Sequence, residues 1–160
     1  MSMSIREIEL TLIDGTKTTF GALGKGPVLV VNVASRCGLT PQYEALEAMQ
    51  KKYGPKGFTV VGMPSDQFKQ ELGSNEEVAE YCSTTWGVTF PMTEMVKVNG
   101  RNRHPLYKDL VKTKDHMGLA GPVMWNFEKF LVHKDGSIER FRPQTKPDDP
   151  KVIAAIEAAL

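Results

Sequence analysis

Two nearly unbroken apolar runs stand out along the chain. Val28-Leu29-Val30-Val31-Asn32-Val33 follows Gly24, Gly26 and Pro27, and Phe58 to Met63 runs up to Pro64. Continuous rather than alternating apolar character predicts strands buried on both faces, as in a central parallel sheet. Between them, Tyr43, Leu46, Met49 and Tyr53 recur at helical spacing behind Thr40-Pro41, a pair suited to cap and open a helix. Gly54-Pro55 closes that helix. A second is predicted from Ser74, which with Glu77 forms a capping box, and it places Val78, Tyr81, Cys82 and Thr85 on one face as far as about Thr85. Strand alternating with helix is the pattern of βαβ units.

The flanks read differently. Glu7 to Leu12 and Thr16 to Phe20 predict an N-terminal β-hairpin around Asp14-Gly15, and Phe127 to Val132 with Ser137 to Phe141 predict another around Asp135-Gly136. A strand near Met95 to Val98 and a helix from Pro105 to about Lys112 are expected between them. A last helix from Asp149-Pro150 carries Val152, Ile153, Ile156 and Leu160 on one face. The expected class is therefore α/β: a central mixed sheet flanked by helices, with an N-terminal β-hairpin. On so short a chain this favours a thioredoxin-like fold over a full doubly wound sheet.

Composition narrows the function. With 160 residues, against about 150 per domain, the chain is expected to form a single domain over 1–160. Twenty basic and nineteen acidic residues give a net charge of +1, so no clustered charge argues for nucleic acid. The longest apolar stretch, residues 27–33, is far short of the roughly 20 needed to cross a bilayer. The opening MSMSIREIEL lacks the apolar centre of a secretory signal. Two cysteines exclude a disulfide scaffold and fit a reducing compartment, so a cytoplasmic location is expected. His104, His116 and His133 stand too far apart to suggest a metal site, and no phosphate-binding loop or G-x-S-x-G elbow occurs.

Cys37 is the strongest candidate for chemistry. It falls in the loop between a buried strand and a helix, where free N–H groups and the helix dipole favour a thiolate. Arg36 adds positive charge, and Gly38 permits close backbone approach. Thr40 stands where a second cysteine would make C-x-x-C, which argues against an ordinary thioredoxin mechanism.

The segment Asn32-Val33-Ala34-Ser35-Arg36-Cys37-Gly38-Leu39-Thr40-Pro41-Gln42-Tyr43 resembles the signature around the peroxidatic residue of the glutathione peroxidase family. Gly87-Val88-Thr89-Phe90-Pro91, Val98-Asn99-Gly100 with His104-Pro105-Leu106-Tyr107, and Trp125-Asn126-Phe127-Glu128-Lys129-Phe130-Leu131-Val132 agree with it in order. The resemblance implies a thioredoxin-like fold and a peroxidase that reduces hydrogen peroxide and organic or lipid hydroperoxides through a sulfenic acid on Cys37. It implies no cofactor.

It also implies that Trp125, Asn126 and a glutamine donate hydrogen bonds to the reacting atoms. Gln70 is the candidate glutamine because Glu71 and Gly73 follow in register; Gln67 is the alternative, since the segment is one residue shorter than the family pattern. Cys82 matches the resolving cysteine of members that draw electrons from thioredoxin, and Ser65 stands where many relatives carry another thiol. A Cys37–Cys82 disulfide would require the helix from Ser74 to unwind locally. The compact stretch from Lys112 to Met124 resembles the monomeric type. Two other readings stand beside this one: a glutathione-dependent peroxidase in which Cys82 is structural, and a peroxide sensor or relay that passes oxidation to a client protein.

Overall fold

In the computed structural model, which describes residues 4–160, the two apolar runs pair in parallel. β3 (Val28–Val33) is buried at every position and lies in register with β4 (Thr59–Pro64), from Val28 opposite Thr59 to Val33 opposite Pro64. On its other edge β3 pairs antiparallel with β5 (Lys129–Val132), and β5 with β6 (Ile138–Phe141), giving the order β4-β3-β5-β6. The sheet is mixed, as expected. β1 (Glu9–Thr11) and β2 (Lys17–Thr19) form the separate N-terminal hairpin, whose turn places Gly15 at a φ of +92°. The first three positions of MSMSIREIEL, and the start of the expected 1–160 domain, lie outside the described residues.

Alternation along β3 divides the interior into two layers. Leu29, Val31 and Val33 join Tyr43, Leu46 and Tyr53 of α1 (Gln42–Tyr53) and Val152 and Ile156 of α4 (Pro150–Ala159). Val28 and Val30 face Leu106, Tyr107 and Leu110 of α3 (Pro105–Leu110) with Phe130. Full burial of each such side chain contributes about 1.5–3 kcal/mol, so the sheet is the mechanical reference for the loops at its ends. Among the described residues no helix is long and apolar enough to cross a membrane.

Local departures from the expected elements have nonlocal causes. Thr40 does not cap α1, and Pro41 takes the cap position with no side-chain bond. The Thr40 hydroxyl instead donates to Ala34 O (2.8 Å) and accepts from Cys37 N (3.0 Å), closing the loop that carries the cysteine. α2 (Asn75–Tyr81) is capped by Ser74 as the spacing predicts, but the α-helix stops at Tyr81. Cys82–Trp86 continues as a π-helical turn and ends at Gly87, φ +62°. No strand forms at Met95–Val98: only the Val96 N–H reaches β4, at Pro64 O (2.8 Å), while side-chain oxygens of Asn75 and Gln67 take the N–H groups of Met95 and Val98. Phe127 lies outside β5 with a φ of +67°, so the chain turns sharply where extension was expected.

Charged groups hold the loop between α3 and β5. Glu128 and Arg140, both without side-chain exposure, form an ion pair, and Arg142 reaches the same carboxylate at 3.1 Å. Arg140 also donates to the carbonyls of Thr113 (3.1 Å) and Pro122 (3.2 Å), and Arg142 pairs with Asp115 at 2.8 Å. Removing one partner of a buried pair leaves a charge in a low-dielectric interior. Arg140→Met is therefore expected to lower unfolding stability by about 3 kcal/mol, measured by urea denaturation followed by circular dichroism.

Candidate functional site around Cys37

Three loops meet beyond the ends of β3 and β4. The loop carrying Cys37 leaves β3. A second, from Asp66 to Leu72, leaves β4 and is sewn to the first: Arg36 N donates to Gln70 O (2.8 Å) and Ser35 N to Glu71 Oε1 (3.0 Å). The third is the Trp125–Phe127 turn, fixed to β3 by Asn32. Asn32 accepts from Phe127 N at its backbone carbonyl (2.6 Å), and its side chain donates to Trp125 O (3.1 Å) and accepts from Glu128 N (3.0 Å).

Cys37 is 7% exposed and nearly enclosed. Its sulfur accepts a hydrogen bond from Leu39 N at 3.3 Å, one of the free N–H groups ahead of α1. A cavity of about 480 Å³ begins at the next residues of the loop, Gly38 and Leu39, and is lined further by Ala45 and Ala48 and by Gln144 and Pro147, with Cys37 itself outside the lining. Asn126 is fully buried, and its Nδ2 donates to Gln70 Oε1 at 3.1 Å. That bond occupies the carbonyl end of the Gln70 amide and leaves its NH₂ end as a donor. Asn126 Oδ1 and the Ser35 hydroxyl are buried without a protein partner. Trp125 is half-buried, packs against the core cluster that contains Cys37, and lies 5.4 Å from the Phe68 ring.

Gln67 is engaged elsewhere. Its Oε1 accepts from Val98 N (2.6 Å) and Asn99 N (2.9 Å), while its Nε2 donates to Asn99 O (3.0 Å). Of the two glutamines, Gln70 alone meets Asn126. Glu71 accepts from Ser35 N and Leu72 N, and burial raises its carboxyl pKa against the effect of those bonds.

Cys82 belongs to the same buried cluster as Cys37, and both thiols are free. Burial pushes the Cys82 thiol up to about 11, so it stays protonated at neutral pH. The Tyr43 hydroxyl lies beside it without completing a hydrogen bond of good geometry. Tyr43 also stacks on Trp86 and meets Phe127 edge-on, with ring centroids 6.2 and 5.5 Å apart, linking the π-helical turn to the Asn126 region. Sequence patterning marked Tyr43 only as a core position. Asn32 gave one faint signal, a polar residue within an otherwise apolar strand. Among the described residues no group of three His, Cys, Asp or Glu side chains is placed to hold a metal ion.

Comparison with known proteins places this geometry. The family model for glutathione peroxidase matches residues 5–111. The chain is 46% identical to the thioredoxin/glutathione peroxidase BtuE of Escherichia coli, over 92% of both chains. It is 48% identical to the hydroperoxy fatty acid reductase Gpx2 of Synechocystis (94% of this chain, 96% of the relative). It is 51% identical to the glutathione peroxidase-like peroxiredoxin HYR1 of Saccharomyces cerevisiae, over 83% of both. Among solved structures, T. cruzi GPX1 superimposes with a TM-score of 0.75 at 31% identity, covering 98% of this chain and 96% of that one. A secreted disulfide oxidoreductase of Mycobacterium tuberculosis shares the fold alone, with a TM-score of 0.64 at 12% identity over 96% of each chain. The fold is thioredoxin-like, and the chain belongs to the glutathione peroxidase family.

Proposed function

We propose that this chain is a thiol peroxidase that reduces hydrogen peroxide and organic hydroperoxides at Cys37, forms a Cys37–Cys82 disulfide, and is recycled by thioredoxin. The observation that carries the reading is the Asn126–Gln70 bond beside the Cys37 loop, which engages Gln70 Oε1 and leaves its NH₂ as a donor. Such pre-oriented donors lower the barrier because they need not reorganise as charge develops.

The Cys37 thiolate attacks one peroxide oxygen, and the O–O bond breaks. Sulfur loses two electrons and becomes a sulfenic acid, while the other oxygen leaves as alcohol or water after taking a proton. Gln70, Asn126 and the Trp125 indole N–H stabilise the charge that shifts from sulfur to the departing oxygen. The alkyl part of an organic hydroperoxide lies in the cavity lined by Leu39, Ala45 and Ala48. Cys82 then attacks the Cys37 sulfur, water leaves, and a disulfide closes. A dithiol reductant restores both thiols by exchange. The names of BtuE, HYR1 and Gpx2 support a peroxidase, and that of BtuE supports thioredoxin as reductant. The chain acts as one domain and as a monomer, in a reducing compartment such as the cytoplasm. Arg140 and Arg142 hold the 112–124 connection against the chain's own body, which favours the monomer.

Cys37→Ser is expected to abolish peroxide consumption. Cys82→Ser keeps the first oxidation but loses turnover with thioredoxin, as read by stopped-flow oxidation and coupled NADPH consumption. After one equivalent of peroxide, mass spectrometry of the native chain shows a Cys37–Cys82 linkage; undiminished turnover of Cys82→Ser with glutathione alone would instead assign Cys82 a structural part. The two glutamines separate in the same way. Gln70→Ala slows Cys37 oxidation on the order of a hundredfold, the usual effect of losing one such donor. Gln67→Ala keeps that rate and lowers stability by about 1 kcal/mol through its lost bonds to Val98 and Asn99.

A further inference from the structure

β5 opens on a lysine with no exposed surface. The Lys129 ammonium donates to Phe127 O at 2.7 Å and to Pro143 O at 3.0 Å. Gln42, in the first turn of α1, donates to the same Pro143 carbonyl at 2.9 Å. One buried cation therefore joins the Trp125–Phe127 turn, the start of the helix behind Cys37, and the segment that leads into the wall of the adjacent cavity.

The charges around it leave this cation uncompensated. Glu128 is bonded to Arg140 and Arg142, and Arg142 also holds Asp115. Two carboxylates and two guanidiniums cancel, and the groups that Gln42 and Pro143 present are neutral. Burial brings the Lys129 pKa down to about 7, with Glu128 pulling the other way. A methionine would fill much the same space without the cost of desolvating an ammonium. A lysine kept there against stability, bonded to the turn that carries Asn126, points to a use.

We propose that Lys129 is a positioning residue for the peroxide step: by holding the Phe127 carbonyl it keeps the Phe127 backbone in its left-handed turn and so sets the Asn126 amide on Gln70. A φ of +67° is unfavourable for a phenylalanine and persists only where its surroundings enforce it. The amide side of that residue is held by Asn32 O and the carbonyl side by Lys129. The inference rests on the reading of Cys37 as the peroxide-reducing thiol.

The test compares the full-length chain with Lys129→Met and Lys129→Gln in three measurements: stopped-flow oxidation of Cys37, reduction of the disulfide form by thioredoxin, and urea unfolding across pH. The Met variant is expected to lose about tenfold in oxidation rate, the effect of a small misplacement of catalytic groups, while its reduction by thioredoxin is unchanged. The Gln variant, which keeps a donor, recovers part of the rate.

Stability moves the opposite way from rate. Below about pH 7 the folded and unfolded chains both carry the Lys129 proton, and the full cost of burying it stands. Between about 7 and 10.5 the unfolded chain holds a proton that the folded chain has released, so wild-type stability rises with pH. The Met variant is therefore at least as stable as wild type at pH 6, and its advantage narrows above pH 7. An unchanged oxidation rate in the folded Met variant overturns the proposal, as does a parallel fall of both half-reactions with stability. If the Met variant does not fold, an oxidation rate in the Gln variant equal to wild type overturns it equally. A wild-type chain whose Cys37 does not react with peroxide overturns the reading of the site itself.

Discussion

The side chain and backbone of Asn32 fasten the Trp125–Phe127 turn to the central strand. Bonds to Trp125 O, Phe127 N and Glu128 N leave that turn little freedom to move relative to β3. The same strand ends in the Cys37 loop. The donors beyond Cys37 and the loop that carries it thus share one rigid origin, and errors of position between them are small. A buried amide costs free energy unless its bonding capacity is filled, and at Asn32 it is filled by the backbone it positions. Had an apolar residue stood there, as at the other positions of β3, the turn would have kept only the backbone bond at Phe127 N, losing two of its three anchors.

The elements that were legible in the sequence are those whose signal is local. β3 and β4 declared themselves by apolar content, α1 and α4 by their apolar spacing, and α2 by the Ser74–Glu77 pair. Where the reading failed, the deciding partner was distant in sequence. Met95–Val98 has the composition of a strand, but side chains distant in sequence take N–H groups at both its ends, Asn75 that of Met95 and Gln67 that of Val98. Thr40 has the chemistry of a helix cap, yet its hydroxyl is drawn to Ala34 and Cys37. Cys37 stood out by its place between a buried strand and a helix, and Gln70, Trp125, Asn126 and Cys82 were named only through a family resemblance; the bond between Asn126 and Gln70 had no signal in the sequence. Lys129 was invisible for the same reason. A lysine at the start of a strand reads as exposed, and only the closure of the Pro143 segment over it creates the buried site.

The second cysteine presents the opposing demand. In the reduced chain Cys82 is enclosed, protonated and flanked by the Tyr43 hydroxyl, which suits a core residue and not a nucleophile. To attack a sulfenic acid it must lose that proton and leave its packing, and the surrounding structure makes departure local. Cys82 begins the π-helical turn, a rare geometry that occurs as short single turns. Ser83, Thr84 and Thr85 are exposed, so the resistance to opening is confined to Cys82 itself and to Trp86, which stacks on Tyr43. On the far side of Gly87, the buried carboxylate of Glu47 accepts from the Thr89 N–H (2.8 Å) and hydroxyl (2.6 Å), so movement that begins at Cys82 meets a fixed point at Thr89. In the proposed cycle, burial restrains the thiol until Cys37 has been oxidised, and a short turn beside a firm anchor lets it move without unfolding the sheet on which Cys37 and Asn126 depend.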